Sequence, residues 1–279
     1  MALPALTSLL PHLESLAVAA GREILAVYAT DFQVERKADA SAVTLADTRA
    51  EAVILEGLSR LVPQIPVVAE EQVAAGHCPA ACGCFFLVDP LDGTREFASR
   101  NGEFTVNIAL IEDAVPVLGL VYAPVLGLLY AGVLGEGAYK RVLSDDGTLG
   151  PAEAIRVRTA ESARLAAVAS RSHRDAATES WLAARGIRDV HAAGSSLKFG
   201  LMAEGLADLY PRFGRTMEWD TAAGDAVLRA AGGGVVTLDG APLLYGKDQP
   251  QDDAPYANPN FIAFGDRRAL DLKPAVEAG

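Results

Sequence analysis

Apolar residues recur every three or four positions from about residue 6 to residue 28, with Leu13, Leu16, Ala17, Ala20, Ile24, Val27 and Tyr28 in step. This spacing predicts an amphipathic helix. After the polar stretch ERKADASAVTLAD, a second helical pattern covers about residues 48–61 and stops near Pro63. The period then changes. PVVAE is a short apolar run ending in Glu70 and Glu71, and FFLVD is another, followed by GTREFASR, which can open a helix. TVNIALIED, VLGLVYAP, GLLYAGVL and GAYKRV follow as the strands of an antiparallel meander. Polar and turn-forming residues gather in SDDGTLGPAEAIRV, which places a boundary near residue 150. Beyond it strands and helices alternate. LAAVAS, ADLYPRF and GVVTLDG read as strands; ATESWLAARG, SLKFGLMAEGL and DTAAGDAVLRAAGG read as helices, the last stopped by glycines. No internal repeat or low-complexity segment interrupts this order. The pattern describes two αβ halves facing one another, residues 1–150 and 151–279.

One stretch tests that reading. Residues 114–135, AVPVLGLVYAPVLGLLYAGVLG, carry no charge and are long enough to nominate a membrane span. Pro116, Pro124, Gly119, Gly127 and Gly132 divide the run into two short strands around APVLG, a hairpin. The first residues lack a basic region and contain Pro4, Pro11, Glu14 and Glu23, which does not read as a signal peptide. Half of the residues are hydrophobic and 22% are charged, as in a soluble globular enzyme. The net charge of -12 excludes a chain built to track a nucleic-acid polymer. It also means that binding an anionic ligand needs local cations, from Lys and Arg or from bound metal. Cys78, Cys82 and Cys84 crowd into GHCPAACGC. An odd number in one loop reads as reduced thiols in a reducing compartment. With His77 they lack the second half-site of a structural zinc centre.

The candidate chemistry begins at CFFLVDPLDGTREF, where an apolar run breaks into Asp89-Pro90-Leu91-Asp92-Gly93-Thr94. Pro90 disfavours a helical conformation at Asp89, so the chain should leave the strand extended with Asp89 at its tip. Asp92 and the Leu91 carbonyl can turn the same way, and such hard oxygen donors suit Mg²⁺ or Mn²⁺ better than zinc. Gly93 and Thr94 then open a helix whose free amides favour an anion. The simpler alternative is that Asp92 caps that helix in a tight turn. A calcium loop is excluded because Leu91 and Arg100 stand where it needs acidic residues. An aspartyl-phosphate phosphatase is excluded because Pro90 occupies the nucleophile's position. Glu70 and Glu71 end an apolar strand, Asp220 opens a helix in MEWDTAAGDAVL, and Asp47 lies in SAVTLAD. Taken singly, the first two would be a solvated strand end and a helix cap, and Asp47 carries almost no meaning.

In this order, Asp47, Glu70-Glu71, DPLDGT and Trp219-Asp220 with Ala222-Ala223 resemble the magnesium-dependent, lithium-sensitive phosphatases. That superfamily includes inositol monophosphatases, fructose bisphosphatases and bisphosphate nucleotidases. FLVDPLDGTREFASRNGEFTVNIALIED, ASRSH and GSSLKFGLMAEGLADLYPRFGRTMEWDTAAG are similar to the bacterial 3'(2'),5'-bisphosphate nucleotidases of sulfate assimilation. Inositol monophosphatases typically carry small residues where Ser195-Ser196-Leu197-Lys198 stand, and an acidic residue where YPRFG runs. The departures favour a nucleotide over a cyclitol.

The resemblance implies an α+β or α/β fold, a layered αβαβα sandwich of the sugar-phosphatase type. It implies that Glu70, Asp89, the Leu91 carbonyl, Asp92 and Asp220 hold two or three Mg²⁺ ions. Asp47 and Thr94 would orient and deprotonate the attacking water, and Gly93 and Thr94 would hold the scissile phosphate, with Glu70 and Asp220 also against the substrate. Ser170, His173, Gly194 and Lys198 would contact the nucleotide, Lys198 near its second phosphate, and Glu71 would support the metal ligands from behind. The implied reaction converts adenosine 3',5'-bisphosphate to AMP and phosphate, with 3'-phosphoadenylyl sulfate as a further substrate. An inositol monophosphatase or a histidinol phosphatase is the alternative. A cytoplasmic enzyme is implied, monomer or homodimer; some bacterial relatives associate peripherally with the inner membrane, and this sequence shows no device for it. Four further residues stay open in the sequence. His173 and Lys198 can also be read as surface groups. Arg212 and Arg215 either reach an anion or balance Glu204 and Asp208. Trp219 reads as core packing, and His12 and His191 carry no argument.

Overall fold

The two N-terminal apolar stripes form helices α1 (Leu6–Tyr28) and α2 (Leu45–Leu61), separated by the paired β1 (Glu35–Arg36) and β2 (Ala42–Val43). The computed structural model describes residues 5–30, 35–36, 42–43, 45–77, 79, 83–144, 147–172, 175–248 and 253–272. Next come β3 (Val67–Ala69), α3 (Glu70–Ala74), β4 (Cys84–Asp92) and α4 (Thr94–Ala98). The meander follows as β5 (Thr105–Glu112), β6 (Val115–Ala123), β7 (Leu128–Val133) and β8 (Gly137–Val142), with β9 (Glu153–Ile155) at its edge. These strands make one seven-stranded sheet in sequence order β3 to β9, parallel only between β3 and β4. The uncharged stretch is therefore the β6–β7 hairpin. Among the described residues no helix is long and apolar enough to cross a membrane.

The remaining elements are β10 (Ala166–Ser170), α5 (Ala176–Ala184), β11 (Asp189–Ala193), α6 (Leu197–Ala203), β12 (Leu209–Arg212), α7 (Ala222–Ala230), β13 (Gly234–Thr237) and β14 (Phe261–Phe264). Their five-stranded sheet has the order β11-β10-β12-β14-β13. β9 still pairs with β8, so the change from one sheet to the other falls between Ile155 and Ala166. β11 and β14 are additions to the sequence reading. β11, DVHAA, is mostly exposed and shows no apolar alternation, and β14 is only four residues long.

Side-chain alternation assigns each strand two faces. On the first sheet Phe86, Val88, Val106, Ile108, Leu110, Leu118 and Leu120 point outward and pack against Leu13, Ala17, Ile24, Ala50 and Ile54 of α1 and α2. Phe85, Leu87, Ala109, Ile111 and Val121 point inward and share a core with Phe199 and Met202 of α6, Ala223 and Val227 of α7, and Tyr210 and Phe261 of the second sheet. The outer face of that second sheet packs Ala167, Leu209 and Ile262 against Leu182 of α5. The order is helices, sheet, helices, sheet, helix. It is the αβαβα sandwich, and α6 and α7 are its middle layer.

The middle layer sits close. A Cβ on Gly119 would run into the Ala223 carbonyl oxygen and lie 2.6 Å from the Ala226 Cβ; one on Gly132 would lie 2.7 Å from the Ala230 Cβ. Glycine on the sheet and alanine on the helix together bring α7 onto β6 and β7. Gly119→Ala is accordingly expected to lower unfolding stability by about 1–3 kcal/mol, the range for overpacking a dense core. Urea denaturation of the variant against the parent measures it.

Candidate active site

The bend that makes the site lies inside β4. Asp89 pairs with Asn107 and Asp92 with Thr105, and the register shifts between them. In a regular strand residues three apart point to opposite faces. The irregularity at Pro90 cancels that rule, as a bulge does. Leu91 turns outward into the core beneath α1 and α2, and Asp89 and Asp92 both turn inward. Asp89 is thus not the tip of a strand that ends; the strand resumes and closes at Asp92. The Leu91 amide donates to Asp89 Oδ1 at 3.0 Å, which fixes the first carboxylate.

Asp220 arrives from the other half. Its carboxylate accepts from the Met217 amide at 2.8 Å, and Thr221, not Asp220, is the cap residue of α7. Two neighbours hold this turn. Asn258 donates to the Met217 carbonyl at 2.7 Å and to Thr221 Oγ1 at 2.9 Å, while buried Glu218 accepts from the amides of Gly246 at 2.6 Å and Lys247 at 2.9 Å. Asp89, Asp92 and Asp220 each then offer an oxygen within 4.8 Å of the others. Burial, with the charges of Glu70, Asp92, Asp220 and Asp47, pushes the Asp89 carboxyl well above its usual range; burial, Asp92 and Glu70 do the same to Asp220. Such a set of hard oxygens, crowded and drawn out of water, fits a divalent cation, whose charge reverses the repulsion.

Glu70 and Asp47 complete the acidic surroundings. Glu70 and Glu71 are the first residues of α3, so they begin a helix where the sequence suggested a strand end. Asp47 lies in the first turn of α2 and is buried. One turn later on the same face, Glu51 accepts from the Glu71 amide at 2.9 Å, and burial lifts its carboxyl to about 7. Glu51 thereby caps the helix that presents Glu70. Gly93 has φ 95 and ψ 48, a left-handed conformation that suits glycine, and Thr94 begins α4. Asp92 does not cap α4; its carboxylate instead accepts from Ser195 Oγ at 2.6 Å and Asn107 Nδ2 at 3.3 Å.

The loop entering α6 faces this motif. Ser170 and Ala193 are paired at the ends of the parallel strands β10 and β11, and Gly194 follows at once. Gly194 donates its amide to Glu103 Oε2 at 2.7 Å, and Arg171 grips the same carboxylate with two bonds of 2.8 Å, which hold it below the usual range. This clasp ties the loop after α4 to the ends of β10 and β11. Lys198 is 4% exposed, not on a solvated face; its ammonium donates to the Ser195 carbonyl, and burial lowers its pKa to about 8. Arg212 on β12 is also buried, and its charge acts on Lys198 and Asp220. It does not balance Glu204 or Asp208, which bind Lys140 and Arg158. His173, Cys78 and Cys82 lie outside the described residues, and Cys84 is a half-buried residue at the start of β4.

Sequence reasoning missed Glu51, Glu103, Thr105 and Asn107. Thr105 and Asn107 had a legible signal: two polar residues two apart in an otherwise apolar strand that is buried on both faces. Glu51 had one too, since it stands a helical turn beyond Asp47. Glu103 had none, because its partners Arg171 and Gly194 are far along the chain.

Residues 5–263 match the model of the inositol monophosphatase family. The 3'(2'),5'-bisphosphate nucleotidase CysQ of Escherichia coli O157:H7 is 46% identical over 244 residues, 87% of this chain and 94% of that one. The crystal structure of CysQ from Bacteroides thetaiotaomicron, described as a bacterial member of the inositol monophosphatase family, superposes with a TM-score of 0.73 at 40% identity, covering 90% of this chain and 95% of that chain. An inositol monophosphatase from Zymomonas mobilis, 26% identical, gives 0.74 over 97% of this chain and 99% of that chain. The profile, the identity and the shared fold span nearly the whole sequence and both halves of the site: the chain belongs to the inositol monophosphatase family.

Proposed function

We infer that this chain is a metal-dependent 3'(2'),5'-bisphosphate nucleotidase that hydrolyses adenosine 3',5'-bisphosphate to AMP and phosphate. The carrying observation is the union, through Ser195, of the Asp89–Asp92–Asp220 cluster with the buried cation Lys198. A cluster of acids alone suits any phosphate ester. A lysine beside it suits a substrate with a second phosphate, and the relatives named as bisphosphate nucleotidases support that choice. 3'-Phosphoadenylyl sulfate carries the same 3'-phosphate and is a second substrate.

The metal is Mg²⁺, two or three ions, held by Glu70, Asp89, the Leu91 carbonyl, Asp92 and Asp220. When bound, it supplies Lewis acidity toward a phosphoryl oxygen and toward water. The chain's own residues do the rest. Asp47 accepts the proton of the attacking water at its carboxylate, and the Thr94 hydroxyl orients that water. Gly93 and Thr94 hold the scissile phosphate. Ser170, His173, Gly194 and Lys198 hold the nucleotide, with Lys198 on the second phosphate, and Glu71 supports Glu70 through the cap from Glu51. Residues 1–150 thus contribute most metal ligands and residues 151–279 the nucleotide contacts and Asp220. The enzyme works in the cytoplasm, with peripheral membrane association and monomer or homodimer assembly both compatible with the reading.

Purified protein with Mg²⁺ is expected to release phosphate from adenosine 3',5'-bisphosphate with a kcat/KM well above that for inositol phosphate or fructose bisphosphate, and none with a chelator present. Faster hydrolysis of inositol phosphate would overturn the nucleotide assignment in favour of a cyclitol phosphatase. Asp92→Asn is expected to lower kcat by about 100-fold or more, several kcal/mol of charge stabilisation, while the unfolding midpoint of the metal-free protein changes little. Lys198 supplies a pH test. Its amine is a cation below about 8 and neutral above, so KM for the bisphosphate should rise as pH passes through that value. In Lys198→Met this rise should be absent.

A further inference from the structure

Behind the acidic cluster lies a polar network joining β4, β5, the entry to α6 and the turn before α7. Thr105 and Asn107 project from β5 toward the middle layer, and Ser195 and Ser196 form the entry to α6. Thr105, Asn107 and Ser196 are each 1% exposed or less. Ser195 Oγ lies 2.6 Å from Asp92 Oδ2, 3.0 Å from the Asp92 carbonyl and 2.6 Å from Thr105 Oγ1. Asn107 Nδ2 reaches Ser196 Oγ at 3.0 Å, and Ser196 donates to the Asp220 carbonyl at 2.7 Å. Ser195 donates to the Asp92 carboxylate, its contact with Thr105 joins two hydroxyls of which either can donate, and Thr105 Oγ1 also lies 2.9 Å from Asn107 Oδ1.

The backbone adds a second observation. Ser195 has φ 51, a left-handed conformation that L side chains rarely adopt and glycine adopts freely. A hydroxyl residue is nevertheless built in there, and its hydroxyl meets a site carboxylate. Its carbonyl, meanwhile, accepts the Lys198 ammonium. One strained residue therefore grips a cluster carboxylate with its side chain and the buried cation with its main chain.

We propose that Ser195 is a positioning residue that orients Asp92 for the metal and couples metal binding to binding of the nucleotide's second phosphate. The inference rests on the metal role of Asp92 and the phosphate role of Lys198 given above. Removing the hydroxyl leaves Asp92 with only its longer bonds, from Asn107 at 3.3 Å and Thr105 at 3.5 Å, and cuts the direct link between that carboxylate and the residue that holds Lys198, so both affinities fall together. Groups that orient metal ligands typically contribute about 10- to 100-fold in affinity.

The test uses the full-length metal-free protein, Mn²⁺ as the probe and titration calorimetry, with no turnover involved. Ser195→Gly is the informative variant because it removes the hydroxyl and relieves the strained φ; Ser195→Ala is its companion. Both are expected to bind Mn²⁺ about 10- to 100-fold more weakly than the parent, with the metal-free unfolding midpoint of Ser195→Gly held or raised. Mn²⁺ should also tighten AMP binding less in Ser195→Gly than in the parent. Asp92→Asn separates the possible failures. If Asp92→Asn loses Mn²⁺ affinity while Ser195→Gly keeps it within twofold, the positioning role is overturned and the metal site stands. If Asp92→Asn binds Mn²⁺ like the parent, the metal reading fails and the coupling fails with it.

Discussion

Carboxylates that share a buried site repel one another, and much of this structure consists of what holds them together. Two unit charges about 4–5 Å apart interact by about 3–4 kcal/mol at an effective dielectric of about 20. Asp89, Asp92 and Asp220 form three such pairs, with Glu70 and Asp47 acting on them as well. Each is tied by a donor: the Leu91 amide to Asp89, Ser195 to Asp92, the Met217 amide to Asp220. Those donors belong in turn to a bulged strand, a strained loop and a turn anchored by Glu218 and Asn258. The scaffold keeps the acids where a cation finds them, and the repulsion it holds in check is the driving force for taking that cation up.

The position of the cluster follows from the layers. The inward face of β4 and β5 and the starts of α6 and α7 come together at one edge of the middle layer. The bulge at Pro90 puts two acids on the inward face, and the chain entering α7 brings the third. The chain entering α6 brings Ser195 and Lys198. Cation-binding and anion-binding residues are thus neighbours because two helices start side by side between two sheets.

Much of this was legible in the sequence and some was not, for identifiable reasons. The helical period through Tyr28 and the meander from Thr105 to Val142 depend on local alternation, and they read correctly. The DPLDGT string announced hard oxygens that a turn could gather, but not that the strand carries on to Asp92 through a register shift against Thr105 and Asn107. Lys198 could be taken for a surface lysine because its helix neighbours are apolar on every side and say nothing about which face is covered. Tyr210 lies against that face through tertiary packing, and the Ser195 carbonyl, three residues back, takes the ammonium. β11 escaped because DVHAA has the composition of a loop, and it is a strand only because β10 offers a parallel edge.

The middle layer has one more consequence, for how the protein is made. Phe85, Leu87, Ala109, Ile111 and Val121 belong to strands synthesised early, yet their covers, Phe199, Met202, Ala223 and Val227, come much later. A chain leaving the ribosome N-terminus first therefore carries a sheet finished on its outer side by α1 and α2 and bare on its inner side. That bare side is also where Asp89 and Asp92, two of the three clustered acids, hang. Until Ala230 has emerged, the chain does not yet contain the whole cover for that face, and its later helices complete the core of its earlier strands.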